Sequence, residues 1–117
     1  MSLGPTGVQR LDLCAVDEVP PGTMKLCEVG DELVLVTNLA GTFHATQGIC
    51  THEYFELDGG FLTGDSITCA LHLSRFDLED GEPLDPPAEL PLAVYAVIVE
   101  AGRVLIEVPC GPLSVNR

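Results

Sequence analysis

The sequence predicts an all-β protein, an antiparallel β sandwich or partly open barrel. Three observations predict it. Short runs rich in Val, Leu, Ile and Thr recur at close spacing between turn residues. Two of the gaps are tight Ala-Gly pairs of the kind that close hairpins. Prolines at 20, 21, 83, 86, 87, 91 and 109 interrupt most windows in which a helix could form.

Taken in order, Met24–Glu28, Leu33–Asn38 and Thr42–Thr46 read as strands, parted by Gly30-Asp31 and Ala40-Gly41. The second and third form a hairpin about the Gly turn. Ser66–Cys69 is a short strand after the turn Thr63-Gly64-Asp65, and Arg75–Leu78 precedes the turn Glu79-Asp80-Gly81-Glu82. The clearest hairpin is Ala93–Glu100 with Arg103–Val108, closed by Ala101-Gly102. Helix is expected only as one short turn within Asp12–Val19. The 117 residues suit one domain, and the 46% hydrophobic content is sufficient for one core. Within that domain, a stretch from about 48 to 90 has shorter strands and longer loops, as a site-bearing unit inserted into a β scaffold would.

The net charge of −13 comes from 18 acids against 5 Lys and Arg. Nucleic acid and anionic membranes both need clustered cations, so neither is an expected partner. No apolar run approaches the roughly 20 residues of a membrane-spanning helix, and the first residues lack the pattern of a secretory signal. A cytoplasmic monomer is expected. Ten acids and a single base, Arg75, lie between Glu53 and Glu89, so the middle of the chain is the most acidic part. Such a field keeps a protein soluble and steers basic protein partners towards it.

The chemistry lies in two pairs of metal-binding side chains, Cys50-Thr51-His52 and Cys69-Ala70-Leu71-His72, separated by sixteen residues. Thiolates favour zinc or iron–sulfur clusters, and imidazole suits either metal. Common zinc sites take Cys with Cys and His with His from the same stretch. Here each loop offers one of each. Cys-x-His with Cys-x-x-His is the pattern in which two His replace two Cys on one iron of a [2Fe–2S] centre. A Cys₂His₂ zinc-stabilised binding module remains the alternative. Cys14, Cys27 and Cys110 have no His nearby and are expected to be ordinary thiols.

These motifs, together with Leu62-Thr63-Gly64-Asp65, Arg75-Phe76-Asp77 and Gly81, make residues 41–108 resemble the Rieske-type ferredoxins of bacterial aromatic-ring-hydroxylating dioxygenases, similar to the naphthalene, biphenyl and carbazole types. The resemblance implies a β-sandwich base with a small cluster-binding subdomain and one Rieske-type [2Fe–2S] cluster. It further implies Cys50 and Cys69 on the inner iron, His52 and His72 on the outer iron near the surface, and a shielding proline loop at Asp85-Pro86-Pro87. Family members usually place small residues after each His; this chain has Glu53-Tyr54-Phe55 and Leu73-Ser74. Those bulkier side chains are expected to point outward, so that Tyr54, Phe55, Leu73, Pro86 and Pro87 form an apolar docking rim. Glu53 beside the cluster would oppose its reduction, and Ser74 would raise its potential if its hydroxyl faces the centre. The high-potential class has an extra Cys in each loop where this chain has Phe55 and Leu71, which places this chain at the low end of the Rieske range, about −150 mV, and Phe76 stands where that class has a Tyr.

The His count narrows the role. A ring-hydroxylating oxygenase needs a 2-His-1-carboxylate iron site. Only His44 remains after His52 and His72 are assigned, and it lies in a strand where a structural role is expected. No Gly-x-Gly-x-x-Gly is present for a dinucleotide. The expected function is therefore non-enzymatic: carrying single electrons from an NAD(P)H-dependent flavoprotein reductase to a terminal Rieske non-heme iron oxygenase. A small subunit of another oxidoreductase, such as nitrite reductase, is the second reading.

Overall fold

The computed structural model describes residues 7–71, 73–86 and 88–116, and its core is built on one strand that is buried on both faces. That strand is β3 (Glu32–Leu39), in which Val34, Leu35 and Val36 are all fully buried in succession. Such a run belongs to a strand with packing on each side. Leu35 faces one cluster, while Val34 and Val36 face the other side.

Around it lie β1 (Val8–Ala15), β2 (Met24–Val29), β4 (Thr42–Gln47), β8 (Val94–Glu100) and β9 (Arg103–Pro109), in a six-stranded antiparallel sheet ordered β1-β9-β8-β4-β3-β2. The sheet curls until its two end strands meet: Cys14 of β1 and Cys27 of β2 share a buried cluster with Val36 and Val104. The result is a half-closed barrel, within the expected all-β class. A second sheet holds β5 (Phe61–Thr63), β6 (Ser66–Thr68) and β7 (Arg75–Asp77) in the order β5-β6-β7. Its residues Ile67 and Phe76 pack on Leu35, so the small sheet sits on the outer face of β3.

Two strands escape the local sequence pattern. In β1, Arg10 and Asp12 interrupt the apolar positions because they face outward, paired with Glu107 and Arg103 of β9. A bulge between Asp12 and Cys14 then turns Leu13 and Cys14 together towards the interior. The expected helical turn in this region is a 3₁₀ turn, Val16–Glu18. The other missed strand, β5, has only three residues.

Both expected Ala-Gly hairpins form, and each puts an alanine in the left-handed region: Ala40 at φ 51° and Ala101 at φ 52°. Two-residue turns with both φ positive match the right-handed twist of the strands, but Ala lacks the side-chain hydrogen bonds that help Asn tolerate this region. Ala101→Asn is expected to stabilise the fold by up to about 1 kcal/mol, read as a higher unfolding midpoint in thermal denaturation. Cys14 and Cys27 are buried in the same cluster at the seam; burial pushes the Cys14 thiol up to about 11. His44 is half-buried in β4, opposite Thr37. No helix of the described residues is long and apolar enough to cross a membrane.

Candidate metal centre

Two loops emerge beside the small sheet, and the same backbone contact closes both. In the first, the Cys50 N–H donates to Phe55 O (3.0 Å); in the second, the Cys69 N–H donates to Ser74 O (2.8 Å). Each loop thus begins at a cysteine and returns to its carbonyl partner five residues on. An isolated bridge between Ile49 and Glu56 braces the first loop, and the β6–β7 hairpin braces the second. Inside the second, the Leu73 N–H also donates to Cys69 O (2.9 Å). This tight turn holds Leu73 at φ 62°, a conformation that costs a non-glycine residue roughly 1–2 kcal/mol.

The loops bring two of the expected ligands together in the interior. Cys50 and Cys69 are 5% and 3% exposed and belong to one cluster with Leu57, Ile67 and Phe76. His52 is exposed at the tip of the first loop. His72 and Pro87 lie outside the described residues. Among the described residues, no three His, Cys, Asp or Glu side chains gather as they would around one metal ion.

The close fit under the second loop depends on Gly60. A Cβ there would lie 2.0 Å from the carbonyl oxygen of Thr68, the residue before Cys69. Only a residue without a side chain lets the chain entering β5 approach the end of β6 this closely.

The segment after β7 ties both loops down. Leu84 N–H donates to Arg75 O (2.7 Å), and the Ala88 N–H donates to the hydroxyl oxygen of Ser74 (3.2 Å). Ser74 is buried, and because its oxygen accepts from Ala88, its own hydrogen is left for another acceptor. On the other loop, the Thr51 hydroxyl donates to Leu90 O (2.6 Å). The Arg75 guanidinium grips Asp85 with two hydrogen bonds, holding the Asp85 carboxyl below its ordinary range.

That pair sets an acid limit. Asp85's carboxylate is favoured in the folded protein, so the pair's contribution is complete above the ordinary value of 3.8 and is lost as pH falls through the lower folded value. Loosening of the 83–88 segment should therefore steepen below about pH 4, and Asp85→Asn should remove that steepening. Amide hydrogen exchange at Leu84, Asp85 and Ala88 as a function of pH reads it out.

Of the side chains expected on an apolar rim, Tyr54 (73% exposed) and Leu73 (60%) stand out from the surface, as does Pro86. Phe55 does not: it is half-buried against the core cluster, with its ring over Gly59. Phe76 is fully buried in the same cluster as the two cysteines. Glu53 is exposed. Sequence reasoning missed Thr51, the Arg75–Asp85 pair and Gly60, whose roles rest on partners distant in sequence. Every Lys and Arg among the described residues is in an ion pair.

A family model of the Rieske [2Fe–2S] domain matches residues 9–96. A biphenyl dioxygenase ferredoxin subunit from a Pseudomonas species is 40% identical over 95 residues, covering 80% of this chain and 87% of the relative. The ferredoxin component of an alkene monooxygenase system from Xanthobacter autotrophicus is 39% identical over 100 residues, covering 85% of this chain and 81% of the relative. Among solved structures, a complex of reduced oxygenase and oxidized ferredoxin in carbazole 1,9a-dioxygenase contains a chain that aligns with a TM-score of 0.77 and 35% identity, over 83% of this chain and 91% of that one.

Proposed function

The chain belongs to the Rieske [2Fe–2S] domain family, and on that premise we propose that it is a one-electron carrier serving a terminal ring-hydroxylating oxygenase. The observation that carries this reading is the pair of buried thiols, Cys50 and Cys69, at the bases of two loops closed by the same hydrogen bond. The donor set fits the family's cluster. Buried cysteines suit the ligands of an inner iron, and an exposed His52 suits a ligand of an outer one. Cys50, Cys69, His52 and His72 would hold the cluster, which supplies a single reversible electron when bound.

The chain's own residues then do three things. The core around Phe76, Leu57 and Ile67 keeps water from the thiols. The Ser74 hydroxyl, fixed by Ala88, is available to stabilise a reduced centre and so raise its potential. The exposed side chains of Tyr54, Leu73 and Pro86 offer apolar contact surface, and the exposed acids Glu53, Glu56 and Asp58 favour a partner with a basic patch. Electrons would enter from an NAD(P)H-dependent flavoprotein reductase in the cytoplasm. The likeness to ferredoxin components of dioxygenase systems supports a carrier without oxygenase chemistry of its own.

The alkene monooxygenase relative supports a second oxygenase class, since it is nearly as similar as the biphenyl one. Electron paramagnetic resonance of the dithionite-reduced protein tests the central reading. A rhombic signal, with iron and acid-labile sulfide in equal amounts, is expected. A silent protein containing zinc would sink it. Reconstitution with each oxygenase class would separate the two partners by their rates of reduction.

A further inference from the structure

We propose that the C-terminal segment 113–116 is a strap that holds the first ligand loop, with Gln47 as the positioning residue between them; the inference rests on the cluster reading above. Gln47 ends β4, three residues before Cys50, and is 2% exposed. Its side-chain amide uses every donor and acceptor it has. The oxygen accepts from the Ala93 N–H (2.8 Å) and the Asn116 N–H (2.9 Å). The nitrogen donates to Ile49 O (2.8 Å) and Asn116 O (2.7 Å). Both backbone groups of Asn116 are therefore bound by one buried side chain, and their opposite polarity fixes which way the amide points.

Two further bonds hold the segment along its length. The Tyr95 hydroxyl donates to Ser114 O (2.6 Å), and the Asn116 side chain donates to Pro91 O (2.9 Å). Leu113 packs on the barrel core. Val115 and Asn116 line a recess of about 270 Å³ together with the first loop itself, Cys50 to Tyr54. Through Gln47 the strap reaches the carbonyl of Ile49, the residue before Cys50.

Half of the amide's bonds go to Asn116, so a detached strap leaves a buried donor and a buried acceptor unpaired. Gln47 must then turn to find new partners, and the Ile49 carbonyl loses its tether. Firm retention of the cluster and the orientation of the Cys50–His52 pair thus depend on a segment more than sixty residues downstream.

The full-length chain tests this with Asn116→Pro, which removes the N–H that Gln47 accepts from. The Cys50 amide should exchange its hydrogen about tenfold faster than in wild type. Iron should leave to a chelator about tenfold faster, and the line shape of the reduced signal should change, with the far-ultraviolet dichroism unaltered. In a Gln47→Met background, which removes all four bonds, Asn116→Pro should add nothing further. Wild-type exchange and iron release in Asn116→Pro would overturn the strap, as would an undiminished effect in the double variant. The amide exchange reads the strap whether or not iron is bound. A wild-type chain with no cluster signal would instead sink the cluster reading.

Discussion

Cys69→Ser yields a colourless protein with no signal on reduction. Cys69 is almost fully buried, inside the cluster of side chains that also encloses Cys50, and the proposal makes both thiols ligands of one iron. A serine hydroxyl is a hard donor that stays protonated at neutral pH, so it cannot replace a thiolate towards iron and sulfide. The loss is expected to be complete, with iron and acid-labile sulfide both falling to background. Cys27→Ser is the matched control. Cys27 is equally buried, but it lies at the barrel seam with Cys14 and Val36, away from the ligand loops. That variant should lose some stability, because a buried hydroxyl replaces a thiol, and keep its full cluster content. Equal cluster loss in both variants would show that burial, not ligation, explains Cys69. Metal and sulfide analysis beside the absorption spectrum decides between them.

Gly81→Ala is expected to be the most damaging substitution outside the proposed ligands, for two independent reasons. Gly81 sits at φ 80°, where an alanine is strained by roughly 1–2 kcal/mol. The added Cβ would also lie 2.0 Å from the carbonyl oxygen of Leu92, closer than any real contact. The backbone cannot simply move aside. The Leu92 N–H donates to Gly81 O (2.8 Å), and the Gly81 N–H donates to Asp77 O (2.8 Å) at the end of β7. Displacing Gly81 therefore pulls Leu92 out of the core beneath the two cysteines and disturbs the strand that leads from the second loop. A loss of about 3 kcal/mol or more is expected in chemical denaturation, with weaker cluster retention. An unfolding midpoint within error of wild type would show that the segment yields more easily than its hydrogen bonds imply.

The hairpins were legible because their causes are local. Ala40-Gly41 and Ala101-Gly102 are flanked by β-rich runs, and a two-residue turn pairs those runs automatically. Strand β1 was not legible, since Arg10 and Asp12 break its apolar pattern and their partners in β9 are more than ninety residues away. The rim was only partly legible. Exposure of Tyr54 and Leu73 agrees with the expectation that bulky residues turn outward, whereas Phe55 finds room over Gly59 and turns in. No pattern in the sequence marks that space.

The four candidate ligands and their two loops stand on the same division. Their residue types and spacing carry the chemistry, because a loop that presents a thiolate and an imidazole two or three positions apart is a short-range property of the chain. By itself the sequence determined the β class, the candidate ligands, the family resemblance and the acidic middle. Only the tertiary structure decided how those loops are held. Arg75 meets Asp85, Thr51 meets Leu90, Ser74 meets Ala88, and Gln47 meets both Ala93 and Asn116. Each such contact joins groups ten to sixty-nine residues apart. A hydrogen bond forms wherever folding brings a donor to an acceptor, and nothing in the residue types announces which of many polar groups that will be.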